Sequence, residues 1–340
     1  MAQGLLEVTG TIDIAQFWPA GESDADTVKV YVASNGGAFR FRPHPGAPSK
    51  ITTAFENGAT VRGKTNKPAV DNQHRITIRL QGIDAPELHY RPVAPTLNGK
   101  KIAAKQRSAF NGANGDFRQH LGETATIELH TFLSAVSAGP IACVVRTAVD
   151  QPSDVFDTYG RLVGDIFVTI AGKEQNVNHW LAESGWAFPT FYTSMSDQEI
   201  TDVIGRSEQA RSGKRGVWKS ASPDLSKFDR TLVYRKHGTP DPKADRGAEI
   251  MPKLFRRQST FAVAKIGKVI GGALPAYLKA HPDDCYETKD FLSQGSTAAT
   301  HQRLDEFVSV QSKFTVGPKD LVFQEAASRV VDKNGQPAHW

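Results

Sequence analysis

Two alternating runs constrain this chain most: TVKVYV at 27–32 and HRITIRLQGI at 74–83. Both place β-branched residues at every second position, which suits strands with one buried and one wet face. The segment between them contains NGG and HPGAP, whose glycines and prolines do not sustain a central strand. The reading is two strands of one sheet parted by a long insertion. ETATIELHTF (123–132), GPIACVVRTAV (139–149) and VFDTYGRLVGDIFVTI (155–170) read as further strands.

Helical spacing is predicted over the first half of KKIAAKQRSAFNGANGDFRQHL (100–121), two glycines interrupting the rest. A second helix is VNHWLAESGW (177–186), which contains a glycine suited to a C-cap. A third is DQEITDVIGRSEQARSGKRG (197–216), with its basic residues near the C-terminal end, where the helix dipole favours them. The fold class is α+β and mainly β: a small closed five-stranded barrel with two or three packed helices. Beyond about residue 220, SPDLSKF and HGTPDPKADRG read as linker. Segments that mix strand and helix signals follow, a C-terminal α+β region.

Acidic residues gather at the ends of the predicted strands. DADTVK puts Asp24 and Asp26 where a loop enters one strand, and RLQGIDAPELHY puts Asp84 and Glu87 at the exit of another. Separate solvated turns would account for such residues. If the four carboxylates converge, they offer an oxygen-rich site for a hard cation such as calcium. Arg79 lies in the strand before Asp84, and Arg161 just after a Tyr-Gly turn. Planar guanidiniums grip phosphate through paired hydrogen bonds and oppose the charge that builds on its oxygens during displacement. A cation, a carboxylate base and two arginines together make a phosphodiester-cleaving site.

In order, DADTVK, RLQGIDAPE, DTYGRLVGDI, VNHWLAESGWA and RSEQARSGKRGVW resemble the motifs of the staphylococcal nuclease (thermonuclease) family. The resemblance covers roughly residues 7–219, with insertions at about 35–73 and 124–153. It divides the chain into an OB-fold-like nuclease domain, 1–219, and an accessory region, 220–340. It implies a calcium-dependent endonuclease that hydrolyses DNA and RNA, single strands preferentially, to 3′-phosphate ends. Asp26, Asp84 and the carbonyl of Ala85 would hold Ca2+, with Asp24 in the outer shell. Glu87 would be the general base, and Arg79 and Arg161 would hold the scissile phosphate. Tyr159 would flank the nucleotide pocket, with Phe191 and Tyr192 as candidates for a second pocket aromatic; the cluster of Phe188, Phe191 and Tyr192 reads equally as core. Thr158 departs from the pattern, standing where the family's best-known member has lysine. The alternative is a catalytically weak or inactive nucleic-acid-binding or scaffold protein.

The net charge of +5 permits a polyanionic partner, and most of it lies C-terminally: residues 220–340 hold 18 Lys and Arg against 14 Asp and Glu. Such a region suits substrate tethering or packing on the nuclease. The insertion is also locally basic, with Arg40, Arg42, Lys50, Arg62, Lys64 and Lys67 against Glu56 and Asp71, as a substrate-guiding groove or a solvated loop would be. His89, Tyr90 and Arg91 extend beyond the base and could cover the site. Cys143 and Cys285 are far apart and lack metal-ligand spacing, so buried free thiols are expected rather than a disulfide or a zinc site. No apolar run approaches the roughly 20 residues of a membrane span. MAQGLLEVTGTIDIAQFW lacks the pattern of an export signal, so the expectation is a cytoplasmic monomer, secretion of a processed form being the alternative.

Overall fold

The computed structural model describes residues 4–33, 36–56, 58–97, 99–137, 139–241, 243–326 and 328–340. Residues 35 and 57 of the predicted insertion, 138 of the second insertion and 242 of the predicted linker lie outside them. Five strands close a barrel: β1 (Leu5–Ile12), β2 (Thr27–Val32), β3 (Arg75–Leu80), β4 (Ile141–Ala148) and β5 (Leu162–Ile170). β1 pairs with β2, β2 with β3, β3 with β5, β5 with β4, and β4 with β1. Only the β3–β5 pair is parallel. The alternation is what fills the barrel: Val28, Val30, Ile76, Ile78, Val145, Ile166 and Val168 point inward and are buried.

Seven helices are present among the described residues: α1 (Ala104–Ala113), α2 (Gly122–Ser134), α3 (Val177–Ser184), α4 (Asp197–Ser212), α5 (Pro252–Ile266), α6 (Leu274–Ala280) and α7 (Thr288–Gln294). α3 ends on Gly185 in the left-handed region, and α4 begins with a Ser196–Glu199 capping box. α2 corrects the strand expected over 123–132. Ala125, Ile127 and Leu129 alternate over too short a stretch to decide the matter, whereas Ala125, Leu129 and Leu133 recur every four residues and are all fully buried. Thr126 and Thr131 return their hydroxyls to the carbonyls four residues back, at 2.9 Å each, which satisfies both hydroxyls within the helix.

The C-terminal region shares sheets with the rest of the chain. Residues 191–192 pair in parallel with residues 321–323, which continue into the strands at 284–287 and 302–303. Residues 329–331 pair with 60–62 of the insertion, and Trp340 stacks on Phe41 at 4.1 Å. α5 buries Leu254, Phe255, Val263 and Ala264 in a second core with Leu278, Leu304 and Phe323. Both cysteines are buried and unpaired, and burial pushes each thiol up to about 12. No helix among the described residues is long and apolar enough to cross a membrane.

Candidate active site

The register of β2 against β3 builds one end of the barrel. Thr27 lies opposite Arg79, which brings Asp26 beside the Arg79 side chain. Arg79 donates to Asp26 Oδ2 and Asp84 Oδ1, both at 2.7 Å. The chain turns after β3, and Asp84 returns in a short pairing with Phe188. The Ala85 amide then donates to Asp26 Oδ2 at 2.9 Å, tying the two acidic segments together. Glu87 is fixed through its backbone: its N–H donates to Gln119 Oε1 at 3.1 Å, and its carbonyl accepts from the Gln119 N–H at 2.8 Å. Gly122 packs against the same carbonyl so closely that a Cβ would come within 2.4 Å of it. Only glycine leaves room for the loop that carries Glu87.

At the other side stands the turn of residues 157–161. Asp157 accepts from the amides of Tyr159 and Arg161 at 2.9 Å each, and from Arg161 Nε at 2.8 Å. Gly160 takes a positive φ of 79° to complete the turn. Arg161 is thereby aimed at the site, where it donates to Thr27 Oγ1 at 3.3 Å; that hydroxyl donates to Asp26 Oδ1 at 3.1 Å. The parallel β3–β5 pair places this turn next to Arg79. The insertion contributes here as well, since Lys64 donates to the Tyr159 hydroxyl at 3.2 Å. A lysine therefore stands beside the tyrosine, although Thr158 precedes it in sequence.

No motif pointed to Arg256. α5 carries this residue into the acidic cluster, where its guanidinium donates to Asp84 Oδ1 at 3.2 Å and Oδ2 at 2.8 Å, and to Glu87 Oε1. The result is an alternating chain of charges, Asp26, Arg79, Asp84, Arg256 and Glu87. Burial pushes Asp84 up, but the Arg256 and Arg79 guanidiniums outweigh it and hold the carboxyl below its ordinary value. Burial raises Glu87, with Asp84 and Asp24 adding to the rise against the opposing pull of Arg256. Asp26 is pushed up to about 7 by burial, Arg79 opposing and the neighbouring carboxylates of Asp24, Asp84 and Glu87 reinforcing.

These groups fit a hard cation in their chemistry. The donors are all oxygens, three carboxylates (Asp26, Asp84 and Glu87) share the guanidiniums of Arg79 and Arg256, and Asp24 Oδ1 is buried with no hydrogen-bond partner. Their present geometry is different: among the described residues no three His, Cys, Asp or Glu side chains stand together as a metal's ligand set. The guanidinium of Arg256 engages both oxygens of Asp84.

Of the other expected residues, Tyr159 is exposed and lies within 5.7 Å of the Arg161 guanidinium. Phe191 is fully buried in its pairing with residue 322, so its ring offers no face to a base; this corrects its expected role in the pocket. Tyr192 is half-buried, its ring 6.2 Å from that of Phe323. The segment 89–91 does not reach over the carboxylates: His89 bonds the Glu22 carbonyl, Tyr90 bonds Thr260 of α5, and Arg91 pairs with Asp116. Two further contributors, Asp157 and Gln119, escaped the sequence reading. Asp157 had a signal, an aspartate four residues before the arginine in a glycine turn, whereas Gln119 is a contact across the fold.

A closed barrel with an acid and guanidinium centre at its mouth is an architecture suited to nucleic-acid chemistry. Residues 77–220 match the family model described as staphylococcal nuclease homologue; together with β1 and β2, which precede the match, they form a closed five-stranded barrel of the SNase-like OB type, and the match points to a nuclease or nucleic-acid-binding role. No curated protein matches the sequence at a significant level. The matched segment contains Arg79, Asp84, Glu87 and Arg161, while Asp24 and Asp26 precede it and Arg256 follows it.

Proposed function

We propose that the barrel is a phosphodiesterase, an endonuclease that cuts DNA and RNA between phosphorus and the 5′ oxygen to leave 3′-phosphate ends. The observation that carries the reading is the joining of Glu87, Asp84, Arg79 and Asp26 in one ionic chain, with Arg161 one hydroxyl away. Asp26, Asp84 and the Ala85 carbonyl, with Asp24 behind them, are the groups that would hold Ca2+, which would supply positive charge to the phosphate. Glu87 takes the proton of the attacking water, a role supported by its fixed backbone and its raised affinity for protons. Arg161 binds the phosphate at the exposed side and Arg79 from deeper in the site, both opposing the charge of the pentacoordinate transition state. Contacts of this kind touch phosphate rather than base edges, so flexible single strands of either nucleic acid are the expected substrate.

The test is cleavage of single-stranded DNA with calcium, with magnesium and with chelator, comparing the protein with its Glu87→Gln variant. Calcium-dependent cutting to 3′-phosphate ends, reduced by about 100-fold or more in the variant, is the expected result. The engagement of Glu87 by Arg256 favours one other reading, a catalytically silent binding barrel. Binding of the DNA without cutting under any divalent ion would establish that reading instead.

A further inference from the structure

Arg256 lies outside the segment that matches the nuclease family, yet it bonds both oxygens of Asp84 and one of Glu87. Its neighbour on α5 is differently employed. Arg257 forms a paired contact with Asp283 of its own region, at 2.7 Å to each oxygen. Arg256 has its charged partners across the fold, in the loop that carries Asp84 and Glu87.

The helix that presents it is well anchored. Leu254, Phe255, Val263 and Ala264 are buried, and Thr260 bonds both the Arg256 carbonyl, at 2.8 Å, and the Tyr90 hydroxyl, at 3.2 Å. Gln119 adds a second tie: it holds the Glu87 backbone and also donates to the Ile250 carbonyl at 2.8 Å, just ahead of α5. The backbone position of Arg256 relative to Glu87 is therefore set from both sides. Its long side chain is 29% exposed, which leaves the guanidinium a route to solvent while the helix stays in place.

A calcium ion needs carboxylate oxygens at roughly 2.3–2.6 Å. Both Asp84 oxygens are already bonded to a guanidinium at 2.7–3.2 Å. A divalent ion and the Arg256 guanidinium carry like charge and claim the same lone pairs, so the two cannot share Asp84 at contact distance.

We propose that Arg256 is a working residue of this site, its resident counter-cation: the guanidinium and a divalent ion compete for Asp84, so the C-terminal region sets the metal requirement of the barrel. The proposal rests on the phosphodiesterase reading for its meaning, but it concerns binding. When an ion arrives, the guanidinium is released from Asp84 along its exposed route to solvent. Without the ion, it keeps the buried carboxylates neutralised and Glu87 engaged. Linkage requires reciprocity: whatever Arg256 gains by binding Asp84, calcium must lose.

The experiment is isothermal titration of calcium chloride into the full chain and its Arg256→Met and Arg256→Lys variants, without substrate. Methionine keeps an apolar stem of similar length and removes the charge; lysine keeps the charge and loses the fork. Arg256→Met is expected to bind calcium about tenfold or more tightly than the unmodified protein, with Arg256→Lys between them. Equal or weaker binding by Arg256→Met, or no binding by any form, overturns the proposal. Because loss of the ion pair could impair folding of a variant, the unmodified protein is also titrated with calcium while its arginine side-chain resonances are followed by NMR. The Arg256 signal should move at saturation and that of Arg257 should not; an unmoved Arg256 signal overturns the proposal regardless of how the variants fold. Cleavage is scored separately. Absence of cutting in every form would count against the phosphodiesterase reading alone, and cutting with unaltered calcium affinity in Arg256→Met would sink the competition alone.

Discussion

The two ends of the site are built from the same residue types and differ in what surrounds them. At the closed end, the Asp84 side chain is 1% exposed and lies between two guanidiniums. At the open end, Arg161 is paired with Asp157 at 29% exposure, and Tyr159 is 46% exposed. Water screens the second set and hardly reaches the first. The same charge removal should therefore be costly at one end for folding, and at the other end mainly for turnover.

The largest effect should come from Asp84→Ala. It removes the shared acid of two buried guanidiniums and leaves Arg79 and Arg256 facing one another. Breaking such a pair costs about 3–5 kcal/mol, so the variant's urea midpoint should fall sharply along with its activity. A midpoint close to that of the unmodified protein would mean that the closed end is wetter than its burial indicates. Next comes Arg161→Ala. With the Arg161 side chain partly open to water, the protein should fold normally, while kcat falls by about 100-fold because a donor to the developing charge is lost. Arg161→Lys should recover little of this, since the paired geometry is absent. A large stability loss in Arg161→Ala would erase the distinction between the two ends.

The same contrast explains how much was legible in advance. Four of the five barrel strands were legible because TVKVYV, HRITIRLQGI, GPIACVVRTAV and VFDTYGRLVGDIFVTI carry the period of a half-buried strand. β1 escaped the sequence reading, and ETATIELHTF, which reads as a strand, is α2. Asp26, Arg79, Asp84, Glu87 and Arg161 stood at the ends of the four runs or next to turns. The structure brings these five together. Asp157 also belonged to a local pattern, and its role follows once the turn is drawn. Arg256 and Gln119 are different in kind. Each acts through a contact more than 30 residues distant in sequence, and nothing in KLFRRQSTFAVAKIG says which arginine will find an acid at home. Their roles appear only when the helix is docked. Phe191 shows the converse: an aromatic residue near the pocket motifs was claimed by a strand from the C-terminal region.

Beneath the closed end lies Glu249, which is fully buried and accepts from the Gln119 side chain at 2.9 Å and from the Leu121 amide at 2.5 Å. Burial pushes its carboxyl up to about 8. The folded protein therefore holds this proton more tightly than the unfolded chain does. The associated stability is full below about 4.5, the ordinary glutamate value, and is lost as the pH rises toward about 8. Thermal midpoints should decline between pH 5 and 8, a trend shared by Asp26 and Asp165, each pushed up to about 7. Glu249→Gln should flatten the decline in part. An unchanged slope would remove Glu249 from the account and with it this view of the polar layer under Glu87.

The smallest expected effect belongs to Lys64, at the edge of the open end. It is exposed, sits over the Tyr159 ring at 4.9 Å, and has no acid within salt-bridge distance among the described residues. An exposed charge of this kind contributes about 0.2–1 kcal/mol, so Lys64→Ala should raise KM only a few-fold, with kcat unaltered. Its signature should be in salt dependence. If Lys64 meets a phosphate, its removal should reduce the slope of log affinity against log salt by about one, whatever the sequence of the strand. Arg161→Ala, by contrast, should act on kcat. A kcat loss in Lys64→Ala comparable to that of Arg161→Ala would mean that the insertion takes part in the chemistry and does not merely guide the strand, and the open end would then begin at residue 64 rather than at the 157–161 turn.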